Sequence, residues 1–145
     1  MIKNQAYEKI HDLIERYNRL VGEKKIHQFS EADVGSKFIL PFFEALGWNI
    51  KNIDEVKEQR RTISGPADYS LEVNGRPKIV IEIKKFNEDL DNKRTIRGKE
   101  ESYPEQAFRY CWWLKVDWVI LTNFKETRFY YSHERKPEDG LIFKL

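Results

Sequence analysis

The chain has 145 residues, of which 40% are apolar and 34% are charged. This length suffices for one hydrophobic core and is too short for two substantial ones, and the composition excludes disordered and fibrous proteins. No stretch approaches the ~18 consecutive apolar residues of a membrane helix, and the N-terminus lacks the apolar core of a signal peptide, so we expect a cytoplasmic protein. The single cysteine excludes an intramolecular disulfide, and the 3 histidines are too scattered for a zinc site.

The first predicted helix covers residues 2–21. Apolar side chains recur there every three or four residues, which is the period of one helix face. They are Tyr7, Ile10, Ile14, Tyr17 and Val21. We expect Gly22 to end the helix, because glycine is favoured just beyond a helix C-terminus.

A second helix is predicted to begin at Ser30. The side chain of Ser30 can cap the first turn and that of Asp33 can return the hydrogen bond, as in a capping box. The apolar stripe of this helix comprises Val34, Phe38, Phe42 and Leu46. We expect Pro41 to kink the helix, Gly47 to end it, and residues 48–59 to form a first strand.

Two antiparallel strands are predicted over residues 67–73 and 78–86. The dipeptide Asn74-Gly75 between them is the strongest short signal of a tight hairpin turn. The next segment, residues 87–101, is polar and highly charged and has no regular period. We therefore expect an exposed loop there.

The last part of the chain predicts a helix and further strands. Ser102 and Glu105 form a capping-box pattern at the start of a helix that should end near Leu114. Strands are predicted over 118–121 and 127–131, and the apolar segment 140–145 predicts the beginning of another. The expected fold class is α/β, with a helix, three strands, a helix and a strand pair, preceded by an extra N-terminal helix.

Two charged side chains interrupt the apolar strand at 78–86. Because side chains alternate along a strand, Glu82 and Lys84 share one face and Ile83 lies on the other. Pairing through the Asn74-Gly75 turn should bring Asp68 close to both charges. Charged groups in so apolar a strand are unfavourable unless they are paired or bind a cation.

A cluster of two carboxylates and a lysine suits a hard divalent cation. Mg²⁺ prefers oxygen ligands, keeps several waters and typically takes one or two carboxylates from a protein. Such a metal activates water and neutralises charge on a phosphate, while a lysine can orient the attacking water. The alternative is a structural salt bridge between Glu82 and Lys84 on a solvated face of the sheet.

The sequence Pro66-Ala67-Asp68 followed by Glu82-Ile83-Lys84 resembles the motif that names the PD-(D/E)XK nuclease superfamily. Further stretches, in the same order, resemble the N-terminal nuclease domain of type I restriction subunits and of type IIG restriction-modification enzymes. They are ILPFFEALGW (39–48), ADYSL (67–71), IVIEIKK (79–85), EQAFRY (105–110) and WVILTNFKETRFY (118–130). The resemblance implies a restriction-endonuclease-like core of three layers.

The same resemblance implies roles for individual residues. Asp68 and Glu82 would bind the metal, the carbonyl of Ile83 would add a ligand, and Lys84 would assist the attacking water. A further pair, Gln106 and Tyr110, matches a Q-x-x-x-Y element that positions the DNA backbone and the active-site residues in this branch of the superfamily.

Glu31 is a candidate for an additional acidic ligand. It lies in line with Val34, Phe38 and Phe42 on the second predicted helix, where the family often has a metal or water ligand. A glutamate in a first turn is also favoured by the helix dipole alone. Both interpretations of Glu31 stay open.

These features imply a single Mg²⁺- or Mn²⁺-dependent DNA endonuclease domain over residues 1–145, acting as the cleavage module of a restriction-modification system. The net charge of +2 is small for a protein that holds DNA alone. We therefore expect an N-terminal fragment of a longer enzyme, whose partners are double-stranded DNA and methyltransferase, helicase or target-recognition domains.

Other functions remain open from the sequence. One is a catalytically silent nuclease-fold module that docks DNA or a partner subunit, and another is a resolvase or repair nuclease of the same superfamily. The basic residues of segment 87–101, with Arg60 and Arg61, either touch phosphates or belong to an ordinary solvated surface. Nearby carboxylates slightly favour the second interpretation. The basic residues of that segment are Lys93, Arg94, Arg97 and Lys99.

Overall fold

The structure, a computed structural model, describes residues 3–58 and 68–145. Its helices are α1 (Lys3–Gly22), α2 (Glu31–Val34), α3 (Leu40–Ala45), α4 (Tyr103–Leu114) and α5 (Pro137–Gly140). A π-helical segment, Gly35–Ile39, joins α2 to α3, and a short 3₁₀ helix spans Ile26–Gln28. The strands are β1 (Val56–Glu58), β2 (Tyr69–Val73), β3 (Arg76–Ile83), β4 (Lys93–Ile96), β5 (Lys99–Ser102), β6 (Trp118–Thr122), β7 (Thr127–Tyr131) and β8 (Leu141–Lys144). The α/β class is confirmed.

Within the described residues, the main sheet has the strand order β1-β2-β3-β6-β7-β8. Neighbouring strands are antiparallel except for β3 and β6, which run parallel. A parallel pair needs a long crossover connection. Here the crossover contains the β4–β5 hairpin and α4, and it places α4 against β3 and β6.

The sheet separates two hydrophobic cores, because alternate residues of each central strand point to opposite faces. The core on the α1 side contains Leu13, Val34, Phe38, Ile39, Phe43, Val56, Leu71, Ile81, Ile83, Phe86 and Ile120. The core on the α4 side contains Val80, Leu90, Tyr103, Ala107, Phe108, Tyr110, Cys111, Val116, Val119, Leu121 and Tyr130. None of the described helices has the length and apolarity of a membrane-spanning segment.

Helix α1 has its predicted extent but a different buried face. Leu13 is buried and Tyr17 and Leu20 pack against the α1-side core, whereas three members of the predicted stripe are largely exposed. The exposed members are Tyr7, Ile14 and Val21. The apolar positions of α1 cover more than one face, so their spacing alone did not determine which of them meets the core.

The second predicted helix is present but is divided by the π-helical segment. Its start is as predicted, with a capping box formed by Ser30 and Asp33. The irregularity expected at Pro41 lies just before it, where the N–H of Leu40 donates to the carbonyl of Gly35 in an i to i+5 bond. Leu46 is exposed and lies beyond the end of α3, so its place in the apolar stripe was wrong.

The hairpin of β2 and β3 is confirmed. Asn74 and Gly75 form its two-residue turn with φ angles of 52° and 73°, values that a primed turn requires. By contrast, the first strand is much shorter than the predicted 48–59 and its last predicted residue lies outside the described part. Residues before Val56 form turns, because the side chains of Asn49 and Asn52 accept backbone N–H groups two residues ahead.

The segment 87–101 is not a loop throughout, which corrects the expectation. Strands β4 and β5 pair antiparallel as a separate two-stranded sheet, and Arg97 and Gly98 form the turn with positive φ angles. The hairpin had no alternating apolar pattern because it packs neither face fully against a core. Helix α4 and strands β6 and β7 are confirmed, and α5 was not predicted.

Candidate active site

Glu82, near the end of β3, and Lys84, just beyond that end, form a buried ion pair. The Lys84 ammonium lies 3.1 Å from Oε1 of Glu82, and the two side chains are 2% and 4% exposed. This burial excludes the solvated surface salt bridge that the sequence left open. Removing two charges from water costs several kcal/mol per ion, so such a pair needs further polar partners.

Helix α4 supplies those partners. The Lys84 ammonium donates to Oε1 of Gln106 at 2.9 Å and lies 4.1 Å from the centre of the Tyr103 ring. Because an ammonium can only donate, the Gln106 amide must present its oxygen to Lys84. Its nitrogen then donates to the hydroxyl of Tyr110 at 2.9 Å.

Local sequence explains why α4 presents these groups together. The helix begins at the predicted capping box, in which the Ser102 hydroxyl accepts the N–H of Glu105 and the Glu105 carboxylate accepts the N–H of Ser102. Tyr103, Gln106 and Tyr110 are then spaced by three and four residues and share one helix face. Burial and the negative charge of Glu82 raise the pKa of Tyr110 to about 12, so its hydroxyl stays protonated.

Asp68 is held beside the ion pair by a backbone hydrogen bond. The register pairs Tyr69 with Ile81, which places Asp68 opposite the end of β3, and its Oδ2 accepts the N–H of Ile83 at 2.6 Å. Burial raises the pKa of Asp68 to about 6, and the nearby carboxylates of Glu31 and Glu58 add to the rise. The Ile83 hydrogen bond and the Lys84 charge oppose it.

Glu82 carries the most unusual feature of the cluster. Its Oε2 atom is buried and has no hydrogen-bond partner among the described residues, whereas its Oε1 atom accepts from Lys84. Burial, followed by the charge of Asp68, raises the pKa of Glu82 well above its usual range. An unpartnered buried carboxylate oxygen next to a second carboxylate matches the ligand chemistry of a hard divalent cation.

Glu31 reaches the rim of this cluster from the first turn of α2. It lines a depression together with Asp68, Ile83 and Lys85, and its charge contributes to the raised pKa of Asp68. Among the described residues, no choice of one oxygen each from Glu31, Asp68 and Glu82 brings all three within 4.8 Å of one another. The three therefore do not present one compact ligand set, and a direct role for Glu31 stays a prediction.

The structure thus brings Asp68, Glu82, Lys84, Gln106 and Tyr110 together at one end of β3. Pro66 and Ala67 of the motif lie outside the described residues, as do Arg60 and Arg61. The carbonyl of Ile83 belongs to the same strand end, and its role as a ligand stays a prediction.

Sequence reasoning missed Tyr103 and Glu88. The Tyr103 ring covers the Lys84 ammonium, and the Tyr103 hydroxyl donates a short hydrogen bond to Glu88. Burial and the Glu88 hydrogen bond raise the pKa of Tyr103 to about 12. The spacing of Tyr103 from Gln106 was an available signal, because residues three apart are neighbours on a helix.

One family model matches this chain. A family model described as the type I restriction enzyme R protein N terminus (HSDR_N) matches residues 61–138, more than half of the chain. The chain belongs to this family. Neither a curated protein nor a solved structure matches it significantly.

The HSDR_N family is a PD-(D/E)XK nuclease-like domain, and the matched range includes every candidate residue on β3 and α4. It also includes Asp68 and the β4–β5 hairpin. Glu31 lies before the matched range, so the match adds nothing to its assignment. The resemblance seen in the sequence is confirmed at the level of the family.

Proposed function

We propose that this HSDR_N domain is a Mg²⁺- or Mn²⁺-dependent DNA endonuclease and the cleavage module of a restriction system. The observation that carries the proposal is the buried, unpartnered Oε2 atom of Glu82 beside Asp68. A structural ion pair would have no reason to leave one carboxylate oxygen buried without a partner. A bound cation would supply that partner and favour the charged form of both acids.

Asp68 and Glu82 would hold the cation, with the carbonyl of Ile83 as a further ligand. Glu31 would contribute from the rim, through a water, since the three carboxylates do not form one compact set. When bound, the cation would place positive charge against the scissile phosphate and increase the acidity of a nearby water. Asp68 keeps one oxygen for this purpose, because the other accepts the N–H of Ile83.

Lys84 would orient the attacking water and add positive charge near the phosphate. Two of its three N–H groups donate to Glu82 and Gln106 in the described structure, and the Tyr103 ring faces the ammonium beside these contacts. Gln106 is itself fixed by donating to Tyr110. The role of Gln106 and Tyr110 is therefore to hold the ammonium in one position, which favours a productive geometry.

We place the domain in a restriction-endonuclease-like arrangement of three layers, with α1 and α4 packed on opposite faces of the sheet. In this context, double-stranded DNA is the substrate in the cytoplasm. Methyltransferase, helicase or target-recognition domains would select the DNA, because phosphate contacts alone carry no sequence information.

Cleavage and metal binding test the proposal together. The variants Asp68→Asn, Glu82→Gln and Lys84→Ala, made in the full-length protein, should lower plasmid cleavage by at least about 100-fold, because each removes charge from the proposed transition-state site. Isothermal calorimetry should show Mg²⁺ binding by the wild type and none by Glu82→Gln. Matched controls are Asp54→Asn and Lys78→Ala, which change exposed residues away from the cluster.

Each failure has a distinct meaning. Full cleavage by any of the three variants would refute the assignment of that residue. A wild type that binds DNA but neither binds Mg²⁺ nor cleaves would instead be a silent docking module. Cleavage restricted to branched DNA would identify a resolvase and contradict the restriction role.

A further inference from the structure

The β4–β5 hairpin is anchored firmly to the helix that carries the candidate site. Strand β5 runs directly into α4, and the N–H of Tyr103 donates to the carbonyl of Asn92 at 3.0 Å. Arg109 of α4 grips Glu101 of β5 with two hydrogen bonds, each 2.8 Å long. The hairpin therefore has a fixed position relative to the catalytic cluster although it lies outside the main sheet.

The hairpin concentrates the positive charge of the chain. Residues 93–102 contain four cations and two carboxylates, so their net charge equals the +2 of the whole chain, and all other residues sum to zero. One of the carboxylates, Glu101, is neutralised by Arg109. The other, Glu100, lies 4.0 Å from Lys93, and both of those side chains are more than half exposed.

Three of the cations have no protein partner in the described structure. Arg94, Arg97 and Lys99 are exposed and form no ion pair with any described residue. Two of the three carboxylates just before the hairpin are engaged by side chains, since Glu88 accepts from Tyr103 and Asp91 binds Arg128, while Asp89 accepts the N–H of Asp91. Unpaired exposed cations on a rigid element are the groups that displace counterions from nucleic acid.

The register shows which way the cations face. Arg94 pairs with Glu101 and Ile96 with Lys99, so these side chains share one face of the hairpin. That face is turned toward α4, because Glu101 contacts Arg109 there. In agreement, the positive charge of Arg94 opposes the rise in the pKa of Tyr103 and of Tyr110, the two tyrosines around the Lys84 site.

We propose that the β4–β5 hairpin is a DNA-backbone clamp, in which Arg94, Arg97 and Lys99 bind phosphates next to the one that is cleaved. This inference rests on the proposed nuclease function and adds the surface that holds the substrate. Arg94 contacts the phosphate nearest the catalytic cluster, and Arg97 at the turn contacts one farther along the strand. Such contacts fix the position of the duplex without reading its sequence.

Salt-dependent binding without metal tests the clamp. Fluorescence anisotropy measures the affinity of the full-length protein for a labelled duplex in EDTA, so that cleavage does not contribute. The triple variant Arg94→Ala, Arg97→Ala, Lys99→Ala should bind at least about 10-fold more weakly at 0.1 M salt. Its slope of log affinity against log salt should be shallower by about 2 to 3, close to 0.9 for each lost phosphate contact.

A control triple variant separates a local contact from a change in total charge. Lys3→Ala, Lys9→Ala and Arg19→Ala remove the same charge from exposed positions of α1. These changes should alter affinity less than 3-fold. Equal weakening by both triple variants, or no weakening by the hairpin variant, overturns the inference.

A crosslink locates the contact directly. Cys111 is fully buried, so the substitution Arg97→Cys creates one accessible thiol for a photoreactive label. We expect crosslinks from this position to the DNA strand beside the cut and none from Arg135→Cys.

If the hairpin triple variant binds DNA normally and still cleaves with Mg²⁺, the clamp is wrong and the nuclease stands. If the labelled Arg97→Cys protein crosslinks but the wild type never cleaves, the nuclease is wrong and the clamp stands.

Discussion

Lys84 is one of the most completely buried side chains of the described structure. Three chemically different groups surround its ammonium. A carboxylate, an amide oxygen and an aromatic ring face its ammonium. The ring of Tyr103 provides a desolvated cation–π contact, which is worth about 2 kcal/mol. Tyr103 therefore acts on the proposed reaction through Lys84, as a positioning residue.

Substitutions of Tyr103 should separate the ring from the hydroxyl. Tyr103→Phe keeps the ring over Lys84 and loses only the hydrogen bond to Glu88, so single-turnover cleavage should stay within about 3-fold of the wild type. Tyr103→Leu removes the cation–π contact and should slow cleavage about 30-fold, which corresponds to about 2 kcal/mol. DNA affinity should not change in either variant. Equal losses for Phe and Leu would contradict the positioning role.

The raised pKa of Asp68 predicts a pH-dependent stability. The pKa of Asp68 is higher in the folded state than the unfolded value of about 3.9. Its contribution to the free energy of unfolding is therefore complete below about pH 3.9, and it is lost as the pH rises through the folded pKa. For Asp68 the window runs from about 4 to about 6, and the contribution is at most about 3 kcal/mol.

Urea unfolding in EDTA at pH values from 4 to 8 measures this effect. The stability of the wild type relative to Asp68→Asn should fall as the pH rises through the window, because Asn cannot acquire the buried charge. A second series with saturating Mg²⁺ in place of EDTA should show a smaller fall. A stability difference that is the same at every pH would show that Asp68 is not strained by burial in the folded state.

Elements with strong local signals were predictable from the sequence. The Asn74-Gly75 turn, both capping boxes and the apolar β6 have short-range causes, and each appears where expected. The β4–β5 hairpin was missed because its strands are polar on both faces. Its only local signal was the Arg97-Gly98 turn, which resembles other glycine turns in loops.

The candidate site was likewise predictable only where local sequence determines the geometry. Glu82 and Lys84 share a face by strand periodicity, and the hairpin register brings Asp68 beside them, so local rules sufficed for this group. The position of Glu31 relative to the cluster depends instead on how α2 packs, which no spacing in the sequence encodes. The ring of Tyr103 over Lys84 depends in the same way on the docking of α4.

Gly140, at the junction of α5 and β8, has no room for a larger side chain. A Cβ atom added to Gly140 would lie 2.3 Å from the carbonyl oxygen of Tyr131 and 2.9 Å from the Phe108 ring. Gly140→Ala should therefore lower the free energy of unfolding by about 2 kcal/mol or more through overpacking. Gly22→Ala is the matched control, because a Cβ there meets nothing within 4 Å.

Chemical denaturation compares the two alanine variants. Gly22→Ala should be neutral or stabilising by up to about 1 kcal/mol, since it reduces the entropy of the unfolded chain. A Gly140→Ala variant as stable as the wild type would mean that Gly140 does not lie directly against Tyr131 and Phe108.

For the molecule as a whole, a bound cation should stabilise the fold by mass action. At a free Mg²⁺ concentration ten times the dissociation constant, the expected gain is about 1.4 kcal/mol. Glu82→Gln should be unaffected by Mg²⁺, because the orphaned Oε2 atom becomes part of an uncharged amide. Thermal unfolding with and without Mg²⁺ measures both effects, and an identical shift in the variant would place the cation elsewhere.

Side chains of β3 alternate between a polar cluster on one face of the sheet and an apolar core on the other, so folding must place this strand in the correct register. If β3 slipped by one residue against its neighbours, Glu82 and Lys84 would enter the core that holds Phe38 and Phe86, without Gln106 to receive the ammonium. Burying both charges among hydrocarbon would cost several kcal/mol. The two charges that we assign to cleavage thus also favour the correct register of β3. A sheet in which this strand is shifted by one residue is less stable than the native sheet.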